Sequence, residues 1–147
     1  MMRFFSFLLV LLITASAHGT SLAEMVSIDR TVVNMRSGPG KQYSVTWHLP
    51  KGYPLKVIKK KRKWIKVRDF EDYTGWVYRP LVNRKPHLIV KAERANMRSG
   101  PGKSFHVIDT VDFGTIFKTL RHKGGWVKVM REDGTTGWVY RKLLWGW

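Results

Sequence analysis

The sequence predicts an all-β protein: one small barrel or sandwich, present twice, behind a cleavable leader. Three observations carry this. Asn34-Met35-Arg36-Ser37-Gly38-Pro39-Gly40-Lys41 recurs as Asn96-Met97-Arg98-Ser99-Gly100-Pro101-Gly102-Lys103, and Gly75-Trp76-Val77-Tyr78-Arg79 recurs as Gly137-Trp138-Val139-Tyr140-Arg141, both at an offset of 62 with no insertion. Within each copy, Trp64-Ile65-Lys66-Val67 and Trp126-Val127-Lys128-Val129 place aliphatics at every second position, as a strand with one buried face requires. After residue 24 no stretch has a 3.6-residue apolar period.

Residues 1–23 read as a signal peptide. Arg3 gives a positive start, Phe4 to Ile13 is almost wholly apolar, and small residues follow, with cleavage open after Ala17 or Ala23. An apolar run of about ten residues spans roughly 15 Å as a helix, half of a bilayer core, so it predicts a leader rather than an anchor. Residues 24–82 form the first unit. Leu55 and Val57 mark the strand before Trp64, and the Ser-Gly-Pro-Gly loop is expected to be open and rigid. Its proline fixes φ and lacks an amide hydrogen, while its glycines allow positive φ. Residues 83–86 are a short linker carrying charge and proline, and residues 87–147 repeat the unit, with Ile116 marking the matching strand.

Composition narrows the function. The chain has 147 residues, 27 Lys plus Arg against 10 Asp plus Glu, a formal charge of +17 and no cysteine. Disulfide scaffolds, thiolate metal sites and cysteine nucleophiles are thereby excluded. Removing residues 1–23 takes away Arg3 and no acid, so the positive charge belongs to the two units. The mature chain has no further apolar run long enough for a transmembrane helix.

In order along each copy stand Asn-Met-Arg-Ser-Gly-Pro-Gly, a spaced glycine, Trp-Ile-Lys-Val-Arg or Trp-Val-Lys-Val, and Thr-Gly-Trp-Val-Tyr closing on Leu. This pattern resembles the bacterial SH3-like (SH3b) domain, in two tandem copies covering nearly all of residues 25–145. The resemblance implies a partly open barrel of five to seven strands, export to the cell envelope, and binding of peptidoglycan, its peptides or other proteins. It does not imply catalysis, since in related enzymes a separate catalytic domain accompanies the module. The chain is therefore expected to be non-enzymatic and to need no cofactor. The five histidines form no metal-ligand spacing, and the acids cluster in hairpin turns rather than as a catalytic pair.

Two sets of binding residues stand out. Strand parity turns Trp64 and Trp126 outward, each beside a lysine, where a ring can stack on a sugar or an extended peptide. Tyr78 and Tyr140 close the last long strand. Tyr43 and Phe105 follow the Gly-Pro-Gly turn at equivalent positions, and Trp47 is private to the first unit, where Asp109 is its counterpart. These seven are the groove candidates. Trp76, Trp138, Asn34, Asn96, Arg36 and Arg98 read as structural. The second set is Lys59, Lys60, Lys61, Arg62, Lys63 and Lys66, a concentrated charge at a hairpin whose counterpart Arg121-His122-Lys123-Gly124-Gly125 is milder.

Together these predict a periplasmic or secreted binding module recognising cell-wall peptidoglycan, its peptides or an envelope protein. The alternative is a protein that binds polyanions or an anionic membrane surface through its basic hairpin. Nucleic acid is disfavoured as the polyanion, because an exported protein rarely meets it and no ordered aromatic platform for bases is evident.

Overall fold

A computed structural model describes residues 23–147. The leader expected at residues 1–23 lies, but for Ala23, outside the described residues. From Ala23 onward the chain is all-β. The first unit contains β1 (Met25–Ile28), β2 (Val32–Arg36), β3 (Val45–Pro50), β4 (Pro54–Lys61), β5 (Trp64–Arg68), β6 (Thr74–Tyr78) and β7 (Val82–Asn83). The second contains β8 (His87–Val90), β9 (Arg94–Arg98), β10 (Val107–Asp112), β11 (Ile116–Lys123), β12 (Trp126–Met130), β13 (Thr136–Tyr140) and β14 (Leu144–Gly146). A single 3-10 turn follows β6 and β13, at Arg79–Leu81 and Arg141–Leu143.

Each unit is one seven-stranded sheet of the same order, β3-β2-β6-β5-β4-β1-β7 and β10-β9-β13-β12-β11-β8-β14. The sheets curl without closing. Neither β3 and β7 nor β10 and β14 pair, and β2 meets β6 only through Arg36 and Trp76. Among the described residues no helix is long and apolar enough to cross a membrane.

Alternation sets the two faces. Ile65 and Val67 point into the first core with Met35, Leu55 and Val77, while Trp64, Lys66 and Arg68 point out. Val127 and Val129 do the same in the second unit with Met97, Phe117 and Val139. Trp76 and Trp138 are buried, yet they lie on the outer face between Arg36 and Lys66, or Arg98 and Lys128, on the flanking strands. They reinforce the sheet from outside rather than filling the barrel.

The Ser-Gly-Pro-Gly loop owes its first glycine to space, not to positive φ. A Cβ at Gly38 would strike the Tyr43 ring, and one at Gly100 the Phe105 ring, because each aromatic lies flat on its glycine. Left-handed glycines stand elsewhere, among them Gly52 and Gly114 in the turns before β4 and β11, both at φ +80°. That conformation is open to glycine and strained for other residues.

The two units touch. Ser27 Oγ donates to the Lys85 carbonyl at 2.9 Å, and His87 Nδ1 lies 2.8 Å from the same carbonyl and 3.0 Å from Ser27 Oγ. Phe70 packs against Phe113 of the second unit with ring centroids 5.2 Å apart, and Tyr53 extends the row behind Phe70 at 6.2 Å. Burial holds the His87 imidazole below its ordinary pKa. The lysines at 118, 85 and 51 add to that effect against the hydrogen bond to the Lys85 carbonyl.

Candidate binding groove

On β9, Arg94, Asn96 and Arg98 turn outward while Ala95 and Met97 enter the core. Beside them β12 and β13 present Trp126 opposite Tyr140, a register pair whose rings meet at 5.4 Å and 47°. Between these strands lies a cavity of about 420 Å³. The aromatic pair lines it together with Asn96 and Thr110, which are joined by a hydrogen bond from Thr110 Oγ1 to Asn96 Oδ1 at 3.0 Å. Leu143 contributes an apolar side chain, and Arg94, Arg98 and Lys103 supply three cations with no carboxylate among the lining residues.

The loop bounding this cavity is held by Arg98. Its Nη1 donates to the carbonyls of Lys103 at 3.1 Å and Phe105 at 2.9 Å. Arg36 does the same for Lys41 and Tyr43, at 3.1 and 2.9 Å. A glycine- and proline-containing loop cannot satisfy its own carbonyls by a ladder, so a forked guanidinium takes that role. These arginines brace the loop and leave their charge beside the groove.

The first unit builds the same wall with different chemistry. Trp64 and Tyr78 pair at 5.4 Å and 50°, and His48 Nδ1 bonds Asn34 Oδ1 at 2.9 Å where Thr110 bonds Asn96. Val32 takes the place of Arg94 and is 56% exposed. One cation is therefore missing from the first groove.

Of the sequence candidates, Trp126 and Tyr140 line the cavity, and Trp64 and Tyr78 hold the equivalent positions. Tyr43 and Phe105 lie over their loop glycines. Trp47 points elsewhere and packs on Tyr73 at 5.3 Å. Lys59 to Lys63 run along the end of β4 and the turn into β5, and Lys66 stands on β5. Arg94, Lys103, Thr110 and Leu143 were missed as lining residues. The alternation of Arg-Ala-Asn-Met-Arg could have found Arg94, since it shares parity with Asn96 and Arg98.

Family models described as bacterial SH3 domain match residues 30–83 and 93–144. The chain carries two bacterial SH3 domains in tandem. Among curated proteins, YrvJ of Bacillus subtilis, named as an N-acetylmuramoyl-L-alanine amidase, is 28% identical over 118 residues, which cover 73% of this chain and 23% of that protein. LytH of Staphylococcus epidermidis, named as a cell wall amidase, is 38% identical over 52 residues, covering 35% of this chain and 18% of that protein. The aligned stretch is thus less than a quarter of either relative. A solved NlpC/P60 family protein from Bacillus cereus is 14% identical, with a TM-score of 0.39, over 84% of this chain and 56% of that one.

These names correct the expectation of a non-enzymatic protein. A stretch of 118 residues is shared with YrvJ and one of 52 residues with LytH, both of which are named amidases.

Proposed function

We propose that the tandem SH3 domains hold the protein on exported cell-wall peptidoglycan, with the groove of the second domain taking the peptide stem. The observation that carries this is the cavity between β9, β12 and β13: an aromatic floor rimmed by three cations and no acid. A stem peptide offers aliphatic side chains to Trp126 and Tyr140 and free carboxylates to Arg94, Arg98 and Lys103. The cell-wall amidase names of the relatives support the same ligand class. Cleavage of amide bonds in the wall is the chemistry we place beside this binding.

Co-sedimentation of the full chain with purified sacculi tests the reading, with released stem peptides followed in the same tubes. The wild type is expected to pellet at about 0.3 M salt, where screening cuts electrostatic reach to below about 6 Å. Trp126→Ala with Tyr140→Ala is expected to stay largely in solution, and release of peptides falls with it. Equal pelleting of variant and wild type would overturn the groove assignment.

A further inference from the structure

The outer face of β4 and β5 carries an arrangement that neither the groove nor the fold requires. Residues directly opposite one another in an antiparallel pair share a face with Cβ atoms about 4.5–5.5 Å apart, and like charges placed there repel. In the first domain Lys56 stands opposite Arg68 and Lys59 opposite Lys66, with Lys61 opposite Trp64. In the second, Arg121 stands opposite Lys128 and Lys123 opposite Trp126, while Lys118 faces Met130. Both ladders shift register at the same place, between Val57 and Lys59 and between Thr119 and Arg121, so the Lys59–Lys66 pair recurs as Arg121–Lys128 in the same geometry, while Lys56–Arg68 is private to the first domain.

Among the described residues, none of these lysines and arginines makes an ion pair. Lys60, in the same basic run, is the exception that shows the difference: it points away from the ladder and meets Glu24 at 2.6 Å, which also holds Arg84 at 2.9 Å. The turn adds a second, independent sign. Arg62 sits at φ +55°, a left-handed position that the second domain fills with Gly124 at φ +58°. A non-glycine residue kept in that conformation at the tip of a cationic ladder is strain retained beside a charged surface.

We propose that this outer face of each domain is a docking track for a linear phosphodiester polymer, a polyol phosphate chain of the kind that decorates cell walls. In the first domain the two cation pairs stand about 7 Å apart along β5, where two residues carry the strand from Lys66 to Arg68, and the second domain adds one pair, Arg121 with Lys128. Each opposed pair can share one phosphate, whose oxygens accept from two cations at once and relieve their repulsion. A flat membrane is the poorer match. The exposed aliphatics of each ladder are Ile58 and Leu120 at the bulges, one side chain per domain, too little apolar area for insertion into a bilayer. In the second domain the track meets the stem-peptide groove at Trp126, but the cation pair Arg121–Lys128 lies outside the cavity lining, so the two surfaces can be altered separately.

The test uses the full chain and three probes: a short synthetic poly(glycerol phosphate), vesicles of phosphatidylglycerol in phosphatidylcholine, and sacculi stripped of phosphate polymers. The variant carries Lys59→Ser, Lys66→Ser, Arg121→Ser and Lys128→Ser, and a companion carries Lys59→Arg, Lys66→Arg and Lys128→Arg. Polymer binding is expected to weaken roughly tenfold or more in the serine variant, to persist in the arginine companion, and to fall steeply with salt in the wild type. Binding to stripped sacculi should be unchanged in the serine variant and lost in the Trp126→Ala, Tyr140→Ala protein, which separates failure of this proposal from failure of the groove. Equal polymer affinity in wild type and serine variant overturns the track. So does a wild type that binds vesicles but not the polymer, which would make the face a membrane contact.

Discussion

The two domains share their topology and their groove wall, but they close the turn between the last long strands by opposite means. In the first, Asp69 is buried and accepts the backbone amides of Glu71 and Tyr73, both at 2.9 Å, and the Tyr53 hydroxyl at 3.2 Å. Burial and the neighbouring Asp69 charge push the Tyr53 hydroxyl well above its ordinary pKa, so it stays a donor to that carboxylate. Over this turn Trp47 packs on Tyr73. In the second domain the position of Asp69 is Arg131, which reaches Asp109 at 2.7 Å and Asp133 at 2.9 Å, and Asp109 stands where Trp47 stood. Hydrogen bonds from Arg131 hold both carboxyls below the ordinary range. The same backbone is thus capped once by a buried carboxylate under aromatics and once by an exposed ion network. A fold this small tolerates either, provided the turn's amides are satisfied.

Breaking each cap should separate them most sharply. Asp69→Ala leaves two amides and the half-buried Tyr53 hydroxyl without their acceptor, and is expected to cost about 2–3 kcal/mol. Asp133→Ala removes the acceptor of the Thr135 amide, bonded at 2.9 Å, from a turn open to solvent, where water replaces it. Chemical denaturation of the two variants checks this: a clear drop in midpoint for Asp69→Ala and a much smaller one for Asp133→Ala. Equal losses would mean that the two caps are energetically alike.

A second contrast lies where the domains meet. Gly52 and Gly114 share φ +80°, so alanine at either carries about 1 kcal/mol of backbone strain. A Cβ at Gly52 would also lie 2.9 Å from the His87 ring and 3.2 Å from Ile116, whereas one at Gly114 meets nothing within 4 Å. Gly52→Ala is expected to lower the thermal midpoint more than Gly114→Ala and to loosen the interdomain contact, seen as faster amide exchange at His87. Equal effects would show that the contact carries no stability.

His87 gives that contact a pH dependence with a definite sign. Its folded pKa lies below 6.5, so the unfolded chain binds more protons as pH falls through that value, and stability drops with it. The neutral imidazole keeps the contact intact above that range. His87→Gln should flatten the stability profile between about pH 5 and 7 by an amount on the order of 1 kcal/mol or less. An unchanged acid slope in the variant would place the titration elsewhere.

How far these features could be read in advance depends on their range. The repeat and the alternation of Trp-Ile-Lys-Val are local, and they carried the fold and the outward placement of Trp64 and Trp126. The aromatic floor was legible through parity, since Trp126 and Tyr140 are opposed on neighbouring strands. Three things were not. Tyr43 and Phe105 each cover a glycine five residues earlier, and that contact is a matter of loop shape, not of sequence spacing. Trp47 packs on Tyr73, a residue 26 positions later, and such a long-range contact leaves no local pattern in the sequence. The opposition of Lys59 to Lys66 depends on a bulge, and a one-residue slip would have turned the pair to different faces.

The smallest predicted effect sharpens the comparison between the two β-hairpins. Arg62 and Gly124 occupy the same turn position with φ +55° and +58°. Glycine reaches that region without steric cost, so Arg62→Gly relieves strain in the folded state, while the more flexible unfolded chain partly offsets the gain. It also removes one charge from a run that repels itself. The expected result is a stabilisation of up to about 0.5–1 kcal/mol, larger at low salt, and the reciprocal Gly124→Arg is expected to destabilise by a similar amount. If Arg62→Gly stabilised the protein and left polymer binding intact, the arginine would be a strained turn residue without a task. If it stabilised the protein and weakened that binding, the strain in the first hairpin would be the counterpart of its charge, and the second hairpin, with glycine and fewer cations, the weaker half of the track.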